Sequence, residues 1–325
     1  LPQDENIVNT YLSYYIGEKA NILTPDSQLV EGRINGRNNG VFFKHSQIDE
    51  IFLRRNNRMP VNIYKGEQSH TETKIESSND LFNNPILWKK ISIFNQRSKN
   101  DFRDLKQFFK LIRSAETSNI DYDELTRLAD IKEWAKFSAY QTLIHSWHNL
   151  HSHNMRVMSD LWSGTVVPIV HDTGWMGSKE NKDSLLLDQN AHALYGVYHQ
   201  SSKFLNFKYN FLYSFLENDI LLDAADHIEE ILPLLSNSWK RDPYLTQFEM
   251  TNQNFKTNSD ISSMESNWKD LLNAIRFRHT VLLNKLEEEP DTNWFHEKNI
   301  FSLVVNSFSP IGDIVITLKD EGGEK

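Results

Sequence analysis

Apolar residues recur along this chain in two rhythms, and the rhythm switches several times. Helical spacing comes first, over residues 5–22, where Ile7, Val8, Tyr11, Leu12, Tyr15 and Ile16 form a stripe. Thr24-Pro25-Asp26 ends that helix. Two short strand-like runs follow, Leu29–Ile34 and Val41–Phe43, joined by Asn35-Gly36-Arg37-Asn38-Asn39-Gly40. Asn-Gly between apolar runs is a strong hairpin signal. Ile48–Arg55 reads as a short helix, Val61–Tyr64 as a strand and the polar stretch Glu67–Asn84 as a loop.

The middle of the chain returns to the helical period. In residues 101–114, Phe102, Leu105, Phe108, Phe109 and Ile112 share one face. Asp121–Leu128 and Lys132–His145 are predicted helices, with Asp121 or Asp123 as the cap. Met155–Met158 and Val166–Val170 predict a hairpin turning at Ser163-Gly164. Helical spacing then dominates residues 203–217, 220–236 and 262–288, before two strand-like runs, Ile300–Val305 and Ile314–Leu318. No internal repeat is evident.

This order predicts an α+β fold. Residues 1–66 form a helix-plus-hairpin part, 67–298 a mostly helical body with a candidate site at 145–177, and 299–325 a β-like tail that reads as the edge of an appended domain. At 325 residues and 39% hydrophobic the chain can bury a substantial core. A net charge of −9 argues against nucleic acid as a partner. No apolar run approaches the roughly 20 residues needed to span a bilayer. The chain has no cysteine, which removes disulfides, thiolate metal sites and Cys catalysis and fits an extracytoplasmic or cell-surface setting. Neither G-x-S-x-G nor G-x-x-x-x-G-K-[ST] occurs.

Candidate chemistry concentrates between Trp147 and Gly174, which reads WHNLHSHN, then the predicted hairpin, then HDTG. A protein-kinase catalytic loop reads H-R-D-L-x-x-x-N with D-F-G downstream. Asn149, Leu150 and Asn154 keep that spacing, and Asp172-Thr173-Gly174 stands where D-F-G would. Asn154 and Asp172 are therefore candidate ligands for Mg²⁺ or Mn²⁺, which take hard oxygen donors. The plainer reading of Asp-Thr-Gly is a turn. Asn149 occupies the position of the catalytic Asp, and its amide can orient a hydroxyl but cannot take its proton. His151 or His153 is the candidate replacement base, against a plainer role as loop histidines. A third reading groups His145, His148, His151 and His153 with His171 as a zinc site, although no H-E-x-x-H frame is present.

Several of these segments, in this order, resemble the CotH (spore coat protein H) kinase-like family over most of the chain. Leu29–Gly36 with Gly40-Val41-Phe42 and then Gln47-Ile48-Asp49 is similar to the family's N-G hairpin and its following Q-[IV]-D. Asn62-Ile63-Tyr64-Lys65 resembles its N-L-Y-K, Ile120–Leu125 its I-D-x-D-x-[LF], and Asn154-Met155-Arg156 with Pro168–Asp172 its site hairpin. The resemblance implies an atypical protein-kinase fold with a reduced N-lobe, ATP with a divalent metal, and phosphorylation of hydroxyls on surface proteins. It carries Asn154 and Asp172 over as metal ligands. Three positions depart: Ser46 where the family has a Glu near the adenine, Asn149 at the catalytic Asp, and Gly174 at a second Asp. The family's ATP-pairing Lys would lie on a strand upstream of Leu1. Two functions are therefore open, a weakened phosphotransferase and an inactive pseudokinase that serves as a binding or scaffold module.

Overall fold

The computed structural model describes residues 7–67, 80–92, 101–146, 149, 153–160, 162–173, 192–241, 261–288, 291–297 and 300–306. The first helix, α1 (Ile7–Lys19), lies against a hairpin of β1 (Ser27–Ile34) and β2 (Arg37–His45). Asn35 and Gly36 both take positive φ, 52° and 78°, so a two-residue turn closes the hairpin. The strands are thus longer than the apolar runs predict, because β2 begins at Arg37, with Arg37 and Asn38 paired to Ile34 and Arg33. A register shift between Glu31 and Arg33 flanks Gly32, where an added Cβ would lie 2.3 Å from the Phe42 ring. The short helix α2 (Glu50–Arg55) starts at Asp49, whose carboxylate accepts from the Ile51 and Phe52 amides.

Four strands make the central antiparallel sheet. Its order is β4 (Trp88–Lys90), β3 (Asn62–Gly66), β5 (Met155–Asp160), β6 (Thr165–Ile169), with β5 and β6 forming the predicted hairpin around Gly164. β3, grouped by the sequence with the first 66 residues, is thereby bonded directly to the strand that follows the site loop. Register decides which core each side chain joins. Ile63, Met158 and Val167 form one row, packed on Leu23, Phe52 and Leu53 under α2. Tyr64 and Val157 form the adjacent row on the other face, within the main core.

The helical body supplies that main core. It comprises α3 (Arg103–Ala115), α4 (Asn119–Leu128), α5 (Ile131–Leu143), α6 (Ala193–Tyr198), α7 (Ser202–Glu217), α8 (Ile220–Lys240) and α9 (Ile261–Leu286). Trp134, Phe137 and Tyr140 of α5 are fully buried, and the Trp134 indole N–H donates to the Val166 carbonyl at 2.9 Å, tying α5 to β6. The whole is the expected α+β arrangement, a reduced N-lobe of hairpin and helix against a mostly helical C-lobe.

Three expectations need correction. The cap of α4 is Ser118, whose hydroxyl accepts from the Asp121 amide, while Asp121 sits in the first turn where its charge complements the helix dipole. The polar stretch ending at Asn84 conceals Leu81 and Phe82, both fully buried, with Phe82 edge-on to Trp88, Phe108 and Trp134. The strand β8 (Ile300–Asn306) pairs with β7 (Asp291–Glu297), which the periodicity does not flag. The run at 314–318 lies outside the described residues.

Candidate functional site

The site loop begins where α5 ends, and that end is tightly specified. His145 takes φ +54°, the Ser146 amide donates to Gln141 O at 2.9 Å, and the His145 amide donates to Thr142 O at 3.2 Å. This is a Schellman stop, which is why the helix terminates at Leu143 and not at His145. The carbonyls of Leu143 and Thr142 also accept from the half-buried Arg278 on α9. A cation at this helix end meets the negative pole of the dipole. His145 is buried, and that burial, with Arg278 beside it, lowers its pKa to about 4.

From there the chain is stitched to the segment after β6. The Ser146 hydroxyl donates to Thr173 O at 2.6 Å, and the Asn149 amide donates to Asn154 O at 2.9 Å and to His171 O at 2.8 Å. A single side-chain nitrogen thus holds together the two segments that carry Asn154 and Asp172. Asn149 is only 1% exposed. Its amide, read from the sequence as able to orient a hydroxyl, is spent instead as a buried clamp on two backbone carbonyls, donors that a carboxylate could not supply.

The Asp172 segment is pinned from two further sides. The Tyr14 hydroxyl on α1 accepts from the Asp172 amide at 3.1 Å. Tyr140 of α5 donates to Ser13 O at 2.8 Å and stands 3.1 Å from the Thr173 hydroxyl. Val170 N–H donates to Leu23 O. Gly17 lets α1 come this close, since an added Cβ would lie 2.8 Å from Thr24 Oγ1 and 3.2 Å from Val170 Cγ2. Asp172 and Asn154 both adopt left-handed backbone, φ 43° and 58°, which Asn and Asp tolerate better than most residues. Burial pushes the Tyr14 phenol up to about 12, so it stays a neutral hydrogen-bonding group.

Charge gathers beside Asp172. Arg156 on β5, 5% exposed, donates to Met155 O at 2.9 Å and lies 2.8 Å from His171 Nε2. Guanidinium can only donate, so Nε2 accepts and the His171 proton sits on Nδ1. Burial, reinforced by Arg156, holds the His171 pKa down at about 3 and keeps the ring neutral. Glu67 Oε2 stands 2.6 Å from Lys65 Nζ and 3.7 Å from Arg156 Nη2. Burial alone would raise the Glu67 carboxyl, but the Lys65 and Arg156 cations outweigh it and hold it below its ordinary value.

Of the residues singled out in the sequence, Asn149, Asn154 and Asp172 are brought together through the Asn149 clamp. His153 is half-buried just before β5, and His151 and His148 lie outside the described residues. Ser46 sits at the end of β2, its hydroxyl donating to Asp26 Oδ2 at 3.2 Å, with Arg55 completing a surface cluster. Its neighbour His45 reaches the site, with its ring 5.7 Å from Tyr14 and 6.4 Å from His171. Among the described residues no group of three or more His, Asp or Glu is placed to hold a metal ion. His145 and His171, considered as zinc ligands, each have an arginine as neighbour, a poor companion for a metal-bound imidazole.

Sequence reasoning missed Tyr14 and Tyr140 as parts of the site, and gave Ser146 and Thr173 no role within the segment it marked. The apolar stripe of α1 runs through Tyr11 and Tyr15 and leaves Tyr14 off it. In the structure those two face α8, with Tyr11 2.8 Å from His227 and Tyr15 donating to Asp223, while Tyr14 turns to the site. Lys65 and Arg156 stand inside motifs quoted from the sequence, but only the β3–β5 register sets them opposite each other.

A two-lobed α+β body with the paired segments of Asn154 and Asp172 at its centre defines a kinase-like domain. The family model described as CotH kinase protein matches residues 2–282, and the chain belongs to that family. No curated protein matches the chain.

Proposed function

We propose that this CotH-family domain binds a nucleotide with a divalent metal, Mg²⁺ or Mn²⁺, at the Asn154–Asp172 segments, and transfers phosphate to hydroxyl acceptors weakly or not at all. The observation that carries this is the Asn149 amide, which draws the two ligand-bearing segments together yet has no basic oxygen. The donor set fits such a group: one carboxylate and one amide oxygen are hard ligands of the kind Mg²⁺ accepts. A metal bound there would neutralise phosphate charge developing in transfer. The chain's own part is to fix Asp172 through Tyr14 and Ser146, to present Asn154, and to offer His153 or His151 where a base is needed. Ser46 lies where the family resemblance puts the adenine side. The acceptor class is a hydroxyl on a surface protein, in an extracytoplasmic or cell-surface setting. No helix among the described residues is long and apolar enough to cross a membrane.

The burial of Asn149 favours a second reading, an inactive pseudokinase serving as a nucleotide-responsive binding module of a cell-surface protein. Thermal shift with ATP, with and without Mg²⁺ or Mn²⁺, tests the shared core of both. Nucleotide at 100-fold above Kd stabilises by about 2.7 kcal/mol, an easily read change. The metal-dependent part of that shift should vanish in Asp172→Ala. A wild-type protein that shows no shift with any nucleotide–metal pair overturns the proposal. Labelled phosphate transfer to a Ser-rich acceptor then separates the weak enzyme from the pseudokinase.

A further inference from the structure

Lys65 and Arg156 are direct partners in the β3–β5 register, so their side chains leave the sheet on the same face. Two like charges placed opposite each other repel and destabilise a strand pair. Here one carboxylate answers both: Glu67, two residues beyond Lys65 on the same face, places Oε2 2.6 Å from Lys65 Nζ and 3.7 Å from Arg156 Nη2. Arg156 cannot move away, because its other contacts are Met155 O and His171 Nε2. Its side chain is 6% exposed, whereas those of Lys65 and Glu67 are 38% and 36% exposed, so the arginine is the fixed cation and the other two groups reach the surface. His171 joins this cluster to Asp172, the next residue, whose charge Arg156 feels. Once a divalent metal occupies Asp172, that carboxylate is taken up by the metal and Glu67 is left to balance Lys65 and Arg156.

We propose that Lys65 and Arg156 form a polyphosphate seat, that Glu67 is the chain's own occupant of it, and that the phosphates of a bound nucleotide displace Glu67. The inference rests on the nucleotide-and-metal reading above and deepens it. Arg156 supplies the planar, rigid donor and Lys65 the mobile point charge, a division suited to phosphate oxygens. Glu67 keeps the pair neutralised while no ligand is bound, and so sets a threshold that only a multiply charged anion overcomes. Affinity should therefore rise with the number of phosphates.

Calorimetric titration of the whole chain with ATP, ADP and adenosine in Mg²⁺, and with inorganic tripolyphosphate, tests this. Wild type should bind ATP more tightly than ADP, and adenosine weakest. Lys65→Gln should weaken ATP about tenfold or more, the scale of one lost charge-assisted hydrogen bond, and leave adenosine unchanged. Glu67→Gln should tighten ATP severalfold, since it removes the competitor; a purely structural ion pair would predict the opposite sign. Both residues are partly exposed, and melting curves confirm that the variants fold. Nucleotide binding that is indifferent to Lys65→Gln, or weakened by Glu67→Gln, overturns the seat and leaves the nucleotide reading standing. Wild type that binds tripolyphosphate through Lys65 but no nucleotide overturns the nucleotide reading and supports the seat. Binding of neither overturns both.

Discussion

Asn62 and Tyr64 leave one face of β3 and Lys65 the other, and the carboxylates they meet are held in contrasting ways. Asp104 of α3 accepts from Asn62 Nδ2 at 3.0 Å, from the Tyr64 hydroxyl at 2.6 Å and from the Leu105 amide at 3.0 Å. These donors are neutral and fixed. Burial would raise the Asp104 carboxyl, but Asn62, Tyr64 and Ser159 outweigh it and keep it low. On the opposite face Glu67 meets two cations, one of them half-exposed, and no neutral side chain completes its shell among the described contacts. A carboxylate satisfied by neutral donors is a staple, since no ligand can offer it more. A carboxylate balancing surplus cations is exchangeable, because an anion with more charge can replace it. One strand thus carries both the part of the sheet that must not move and the part that can.

The largest expected effect breaks the clamp beside that exchangeable face. Asn149→Asp removes both donated hydrogen bonds and sets a carboxylate against two buried carbonyls. It should cost about 3 kcal/mol or more in urea unfolding, since buried acceptors lose partners and a charge is left uncompensated. It should also fail to gain phosphotransfer, although it restores the acid that the kinase pattern calls for. A variant as stable as wild type and newly active would show that the clamp is dispensable.

On the staple face, Tyr64→Phe should cost about 1–2 kcal/mol by leaving Asp104 short of a donor, and should not alter nucleotide affinity. The same substitution strongly weakening ATP binding would erase the distinction between the two faces.

Stability should also fall with acid. His145 and His171 have folded pKa values of about 4 and about 3, below the ordinary 6.5, so the unfolded chain binds more protons between those limits. The stability they permit is complete above pH 6.5 and declines as pH drops from there toward 4 and then 3. Denaturant midpoints measured from pH 7.5 to 4.5 should trace that decline, and His145→Gln should flatten it. A slope unchanged by His145→Gln would mean that the imidazole is solvated.

The smallest effect belongs to the surface cluster at the end of β2. Ser46→Ala should change stability by less than about 0.5 kcal/mol, as exposed ion-pair partners with Asp26 and Arg55 contribute little. A large loss of ATP affinity in Ser46→Ala would instead place the adenine directly against it.

Periodicity and turn chemistry were enough to locate α1, the Asn35-Gly36 hairpin, α3, the β5–β6 hairpin and the long C-terminal helices. Those signals are local: a stripe every 3.6 residues, or two residues able to take positive φ, act within one element. The spacing of Asn149, Asn154 and Asp172 was equally legible, because a loop's geometry is set by the count of residues between its fixed points. Tertiary structure alone decided what Asn149 does, since an amide at that position could face solvent or clamp carbonyls 5 and 22 residues away. It also decided that Phe82, in a polar stretch, lies among Trp88, Phe108 and Trp134. The opposition of Lys65 and Arg156 across β3 and β5 required the pairing of strands nearly 100 residues apart, and no local pattern encodes a register between segments so distant.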